Sequence, residues 1–142
     1  MSSYFLYPLV SMLLLTFVVW LYMYIRRLHY VFSHKIKAQQ LHRPEQLTEL
    51  IPEPINRSAN NLKNLFELPI IFYALILTCF IFNWYDPLLL NFAWGFVMLR
   101  ALHSIIHCTY NRVSHRFIVY MLSSICLWAM LLFVVSKVWS NG

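Results

Sequence analysis

With 142 residues, 61% of them hydrophobic and only 11% charged, the chain is too apolar for a soluble domain, so most of its surface must face lipid or another helix. The apolar segments are long, contain few of the chain's two glycines and lack the alternating period of an outer-membrane strand, which favours helices over a barrel. The formal net charge of +6 lies beside these segments and forms no separate basic domain, which argues against nucleic acid and for an anionic membrane face or a small anionic ligand.

The first apolar run, Tyr4 to Ile25, is about 22 residues long and can cross a hydrocarbon core of about 30 Å. Pro8 falls in its opening turns, where a missing N–H costs little, and Trp20, Tyr22 and Tyr24 are placed as interfacial anchors before Arg26-Arg27. The run lacks a basic leader and a small-residue cleavage site and is longer than a signal-peptide core, so it is expected to remain as a helix. From Arg26 to about Asn56 the sequence is polar, with Lys35, Lys37, Arg43, Glu45, Glu49 and Glu53, and predicts a connecting loop into which the first helix continues toward Lys37.

A second helix is predicted from Asn56, after the Pro-Glu-Pro break, to about Phe82, bent where Pro69 frees the carbonyl of Leu65. Asn83 to Pro87 reads as a tight turn, with Asp86 capping a third helix that runs from Pro87 to about Tyr110. After a short connection a fourth helix runs from about Arg116 to Trp139. The expectation is one all-α membrane domain over residues 1–142, with helices at about 4–27, 56–82, 87–110 and 116–139 in an up-down bundle.

Arg26, Arg27, Lys35, Lys37, Arg43, Arg57 and Lys63 flank the first connection, and Arg100, Arg112 and Arg116 the third, whereas the second has no basic residue. The positive-inside rule then puts the first and third connections in the cytoplasm, with Lys137 alone against it. Cys79, Cys108 and Cys126 lie in or beside apolar segments without paired spacing, which predicts buried spectator thiols.

Two polar stripes stand out. Arg57, Asn60, Asn64 and Glu67 fall within an arc of about 80° on a helix and extend about 15 Å along it, which carries Glu67 into the hydrocarbon. A carboxylate there needs a partner or a task, and Arg100 and Arg57 are structural candidates for the partner. On the third helix Arg100, His103, His107 and Tyr110 repeat the same spacing, and on the fourth Arg116 and Tyr120 share a face. All open at one end, an arrangement suited to an anion. His103 and His107 have the spacing of a metal pair, but no glutamate follows His103, so no metal is expected. Each group also has a plainer use: arginines at helix ends snorkel to headgroups, and Asn60, Asn61 and Asn64 can hold neighbouring helices.

The ordered set Asn60-x-x-x-Asn64-x-x-Glu67-x-Pro69, Arg100-x-x-His103 and Arg116-x-x-x-Tyr120 resembles the MAPEG family, the membrane-associated proteins in eicosanoid and glutathione metabolism. Asn64 to Pro69 and His103 to Phe117 resemble its bacterial members in particular. The resemblance implies a homotrimer in the bacterial inner membrane, with glutathione as co-substrate bound between subunits at the cytoplasmic end. A lipophilic substrate would then enter from the membrane lipids. It matches Arg57, Asn64, Glu67, His103 and Tyr120 to glutathione contacts and Arg116 to the arginine set against the sulfur. Asn60, Arg100 and His107 complete the expected binding set, although well-studied members have arginine in place of Asn60 and often tyrosine in place of His107.

Elementary chemistry agrees with those roles. Glutathione carries two carboxylates and one ammonium, so Glu67 suits the ammonium and Arg57 with other bases the carboxylates. A guanidinium such as Arg116 stabilises a thiolate and keeps its charge where lysine would lose it. The expected activity is a glutathione transferase or peroxidase acting on lipophilic electrophiles or hydroperoxides. The alternative is a non-catalytic lipid-binding or scaffolding trimer. A small multidrug exporter also has four helices at this length, but the first helix lacks the carboxylate it requires.

Overall fold

The computed structural model describes residues 2–37, 39 and 49–141. A 3-10 turn at Ser2–Phe5 leads into α1, Leu6–Ser33, followed by α2, Glu53–Leu65, and α3, Leu68–Ile81. The chain then forms α4, Pro87–Cys108, and α5, Val113–Asn141. Taken as one span, α2 and α3 bring the number of helical segments long and apolar enough to cross a membrane to four, and the described residues contain no strand. The expected four-helix, all-α architecture is therefore present.

Several boundaries move for local reasons. α1 continues past the Arg26-Arg27 pair because both arginines are held. Arg26 Nη1 donates to the Tyr22 hydroxyl at 3.2 Å and to the Pro54 carbonyl at 3.1 Å, and Arg27 Nη2 donates to Asn56 Oδ1 at 2.9 Å. It ends where Lys35 takes a left-handed φ of 51° and Ile36 N donates back to the Val31 carbonyl. α2 begins three residues before the expected Asn56, because Pro54 fits the first turn, where its missing N–H is not needed. The loop residues Arg43 and Glu45 lie outside the described residues.

The bend expected at Pro69 is a break between two helices. Without an N–H on Pro69 the carbonyl of Leu65 has no helical donor, and α2 closes with Phe66 N donating to the Lys63 carbonyl. Glu67 takes a non-helical conformation, φ −98° and ψ −101°, and Pro69 falls in the first turn of α3. The carboxylate thus sits at the positive end of α3 without capping it.

At the other end, Asn83 has a left-handed φ of 56° while Trp84 N donates to the Cys79 carbonyl at 2.9 Å. Asp86 then caps α4 through Leu88 N at 2.8 Å. Phe5 packs on Tyr85 there, with ring centroids 5.3 Å apart.

α4 and α5 pack most extensively. Between lipid-exposed helices the drive is close packing, since lipid tails are as apolar as the side chains. Met12, Phe72, Ile76, Leu89, Phe96, Leu127 and Met130 fill the interior, and Phe72 stacks on Phe96 at 4.7 Å. Leu13, Leu14, Phe17, Phe117, Ile118 and Leu132 remain on the outside, as expected of a surface that meets lipid or another copy. Gly95 allows the close approach of α4 and α5, since a Cβ there would lie 3.1 Å from Cys126 Sγ. Gly95→Leu should therefore destabilise the folded protein by about 1–3 kcal/mol, read as a lower thermal midpoint in detergent; an unchanged midpoint would show that the contact is loose.

Candidate functional site

At one end of the bundle a network of polar side chains joins the start of α2 to the turn between α4 and α5. Glu53, in the first turn of α2, pairs with Arg57 one turn later: Arg57 Nε donates to both carboxylate oxygens at 3.1 Å, and Nη2 to Oε2 at 3.0 Å. Arg57 Nη1 also donates to the Thr109 carbonyl at 2.8 Å. Asn111 Nδ2 donates to Glu53 Oε1 at 3.1 Å, and Arg116 Nη1 donates to Asn111 Oδ1 at 2.6 Å.

Beside this network an open cavity of about 280 Å³ is lined by Asn64, Glu67, His103, Val113, Arg116, Phe117 and Tyr120. It brings a carboxylate, a guanidinium, an amide, an imidazole and a phenol together. A larger cleft of about 370 Å³ along the α1 extension includes Arg26, His29 and His34 but no carboxylate. Another of about 330 Å³ between α1 and α4 is almost wholly apolar, with Cys108 and Ser104 at its wall. Convergent charged groups therefore single out the smallest of the three.

Of the residues expected from sequence to bind a ligand, Asn64, Glu67, His103, Arg116 and Tyr120 line this cavity. Glu67 is exposed there and forms no hydrogen bond or ion pair among the described residues, so neither Arg57 nor Arg100 is its bonded partner. Arg57 is instead occupied by Glu53 and Thr109. Asn60 is exposed and lines none of the three cavities described above. His107 is buried behind the cavity.

The asparagines separate by face. Asn61 is fully buried, accepts from Ser104 Oγ at 3.5 Å and contacts Cys108 Sγ at 3.7 Å, whereas Asn56 ties Arg27 to the Ile51 carbonyl. These two are structural. Sequence reasoning passed over Glu53 and Asn111 as parts of the site. The Glu53-to-Arg57 spacing of one helical turn was a usable signal, but the Asn111 bridge spans two connections and left none.

Arg100 is the most unusual side chain. It is 0% exposed, and its Nε, Nη1 and Nη2 all lack a hydrogen-bond partner among the described residues. Its guanidinium carbon lies 4.5 Å from the Tyr120 ring centroid and 5.3 Å from that of Phe96, so aromatic faces supply part of the lost solvation. His103 bridges the two layers: its Nδ1 lies 3.2 Å from the Arg116 carbonyl, its ring 5.8 Å from Tyr120, and its Nε2 has no partner. Among the described residues no group of three His, Cys, Asp or Glu side chains could hold a metal ion.

A family model, the MAPEG family, matches residues 5–136, nearly the whole chain. The chain belongs to the MAPEG family. Neither the curated proteins nor the solved structures gave a match. Membership in the MAPEG family, together with four apolar helices, makes this an integral, multi-pass membrane protein. The MAPEG family includes both glutathione-dependent transferases and peroxidases and members without catalytic activity.

The burial of Arg100 has a measurable consequence. Arg100→Met removes a buried guanidinium that has no hydrogen-bond partner among the described residues and should leave the ligand-free protein as stable or more stable, by up to about 4 kcal/mol, in a detergent thermal melt. A clear fall would show that Glu67 or another acid serves Arg100 as a counter-ion.

Proposed function

We propose that this protein is a glutathione-dependent membrane enzyme that conjugates or reduces lipophilic electrophiles. The observation that carries the reading is a guanidinium, Arg116, facing the same cavity as an unpaired carboxylate, Glu67, at one end of a four-span bundle. That pair matches the two ends of glutathione. Glu67 would hold the ammonium, with Asn64 beside it, while Arg116 would stand by the sulfur with His103 and Tyr120.

A free thiol ionises at a pKa of about 8.5, and an adjacent guanidinium shifts the balance toward the nucleophilic thiolate. In conjugation the thiol proton goes to solvent and the sulfur electron pair forms the bond to carbon. The displaced group leaves with its own pair. In peroxide reduction the sulfur attacks oxygen, the O–O bond breaks and the alkoxide takes up a proton to become an alcohol. A second glutathione then converts the resulting sulfenic acid to the disulfide and water.

The fit in one chain is partial. A cavity of about 280 Å³ is just below the roughly 300–1,000 Å³ typical of small-molecule sites. Among the described residues Arg116 is the only arginine or lysine lining it, whereas glutathione has two carboxylates. We infer a homotrimer in which a neighbouring copy closes the open side and supplies further bases, with Lys63 and Arg112 as exposed cations near this end. The orientation that suits this reading puts the basic end in the cytoplasm, in a bacterial inner membrane.

The scarcity of cations in the cavity, with Arg57 held by Glu53 and Asn60 lacking charge, is also the observation that favours the second reading, a non-catalytic lipid-binding or scaffolding trimer. The two part in one experiment on detergent-solubilised protein, combining calorimetric titration with glutathione and ultraviolet thiolate absorbance. The enzyme reading expects binding, a thiolate signal near neutral pH and a loss of turnover of about 10²-fold in Arg116→Ala. Wild-type protein with neither binding nor thiolate absorbance would leave the non-catalytic reading.

A further inference from the structure

If Arg116 stabilises the thiolate, then whatever fixes Arg116 takes part in the chemistry. We propose that Asn111, backed by Glu53, is a positioning residue that holds the Arg116 guanidinium at the sulfur and away from Glu67. This inference rests on the glutathione reading of the same site.

The geometry of the Asn111 amide carries the inference. Its oxygen accepts from Arg116 Nη1 at 2.6 Å while its nitrogen donates to Glu53 Oε1 at 3.1 Å. A guanidinium can only donate and a carboxylate only accept, so one orientation of the amide satisfies both. A side chain of either pure type could not bridge them.

Each support of the amide is itself held. Glu53 is gripped by Arg57 through three contacts, and Arg57 is tied to the Thr109 carbonyl, so the bridge closes a circuit around the α4–α5 turn. The Asn111 backbone sits at φ 54°, a left-handed conformation that asparagine tolerates better than most residues, and its N–H donates to the Ile106 carbonyl at 2.8 Å. The amide thus projects from a fixed point. Tyr110 and His115 lie 3.0 Å apart across the same turn.

The bridge is needed because of the other groups around Arg116. From α4, His103 lies at its carbonyl, with His107 and Arg100 behind. From α2 come Glu53 and Arg57, from the gap before α3 comes Glu67, and from α5 itself Tyr120. Among the described residues Glu67 is the one carboxylate lining the cavity, and it has no hydrogen-bonded or ion-paired partner, only a longer-range attraction to Arg100. A freely rotating Arg116 would be drawn to it, and such a pair would remove from the ligand both the charge for its sulfur and the charge for its ammonium. Holding one edge of the guanidinium on a neutral amide leaves its charge undiminished and its remaining donors directed at the cavity.

The test uses full-length protein in detergent with glutathione, following thiolate absorbance against pH beside calorimetric affinity. Asn111→Gly keeps the left-handed backbone and removes the amide. It should lower the ratio of thiolate to thiol about tenfold, moving the titration up by about one pH unit. Helix content should stay at the wild-type level. Glu53→Gln, which still accepts from Asn111 but releases Arg57, should give a smaller shift in the same direction. If Asn111→Gly does not fold, Asn111→Asp keeps the shape and the backbone preference while its carboxylate neutralises Arg116, and the same upward shift is expected. A wild-type titration in a folded Asn111 variant overturns the proposal and leaves the glutathione reading intact, as does lost affinity with an unmoved titration. Wild-type protein without a thiolate signal overturns both.

Discussion

A carboxylate carried into a hydrocarbon-spanning segment has to be used or neutralised, and the placement of Glu67 is the constraint on which the basic half of this molecule depends. Pro69 cannot give the carbonyl of Leu65 its hydrogen bond, so the second span divides into α2 and α3, and Glu67 occupies the gap. There its carboxylate faces the positive end of α3 and an open cavity, without a bonded partner. An unbroken helix would have presented the same side chain to lipid or to a neighbouring helix, with its backbone fully satisfied. The break makes an exposed acid tolerable and gives the cavity its anionic end.

Around that acid the positive charges are arranged in layers. Arg116 is at the cavity wall, one edge held by Asn111. Arg100 lies deeper, fully buried between Tyr120 and Phe96, without a hydrogen bond. Arg57 is outermost, bound to Glu53 and to the carbonyl of Thr109, just past the end of α4. The three arginines look interchangeable along the chain, yet one lines a cavity, one is packed like an aromatic neighbour and one forms a strut. The strut has a cost in function, since an arginine engaged by Glu53 is withdrawn from any ligand.

The polar end and the apolar end are built by different means. Away from the site, Phe72 on Phe96, Gly95 against Cys126 and the capped turn at Asp86 set the helices by shape, as lipid-exposed bundles require. Near the site, the Arg27–Asn56, Asn61–Ser104 and Glu53–Asn111 contacts join α1, α2, α4 and the α4–α5 turn through hydrogen bonds. A rigid, dry half therefore supports a half whose polar groups have defined positions, with the lipid-facing outer surface left apolar.

Much of this was legible in the amino-acid order. Uninterrupted apolar runs give four spans because the bilayer sets one length for any helix that crosses it, and Asp86-Pro87 marks a helix start by local chemistry alone. Periodicity also placed Asn64 and Glu67 on one face, and His103, Arg116 and Tyr120 at the same end of the bundle. It could not tell Asn60 from Asn61, of which one is exposed and the other fully buried, because a helical face is defined only once its neighbour is in place. Nor could it show that Arg57 also binds the Thr109 carbonyl, or that Asn111 joins Arg116 to Glu53. The Arg57–Thr109 and Glu53–Asn111 contacts cross between segments more than fifty residues apart, and their partners are chosen by the packing of α2 against the end of α4. The sequence by itself determined the membrane spans and the kinds of charge brought to one end; only the tertiary structure decided which of those charges are spent on each other and which remain for a ligand.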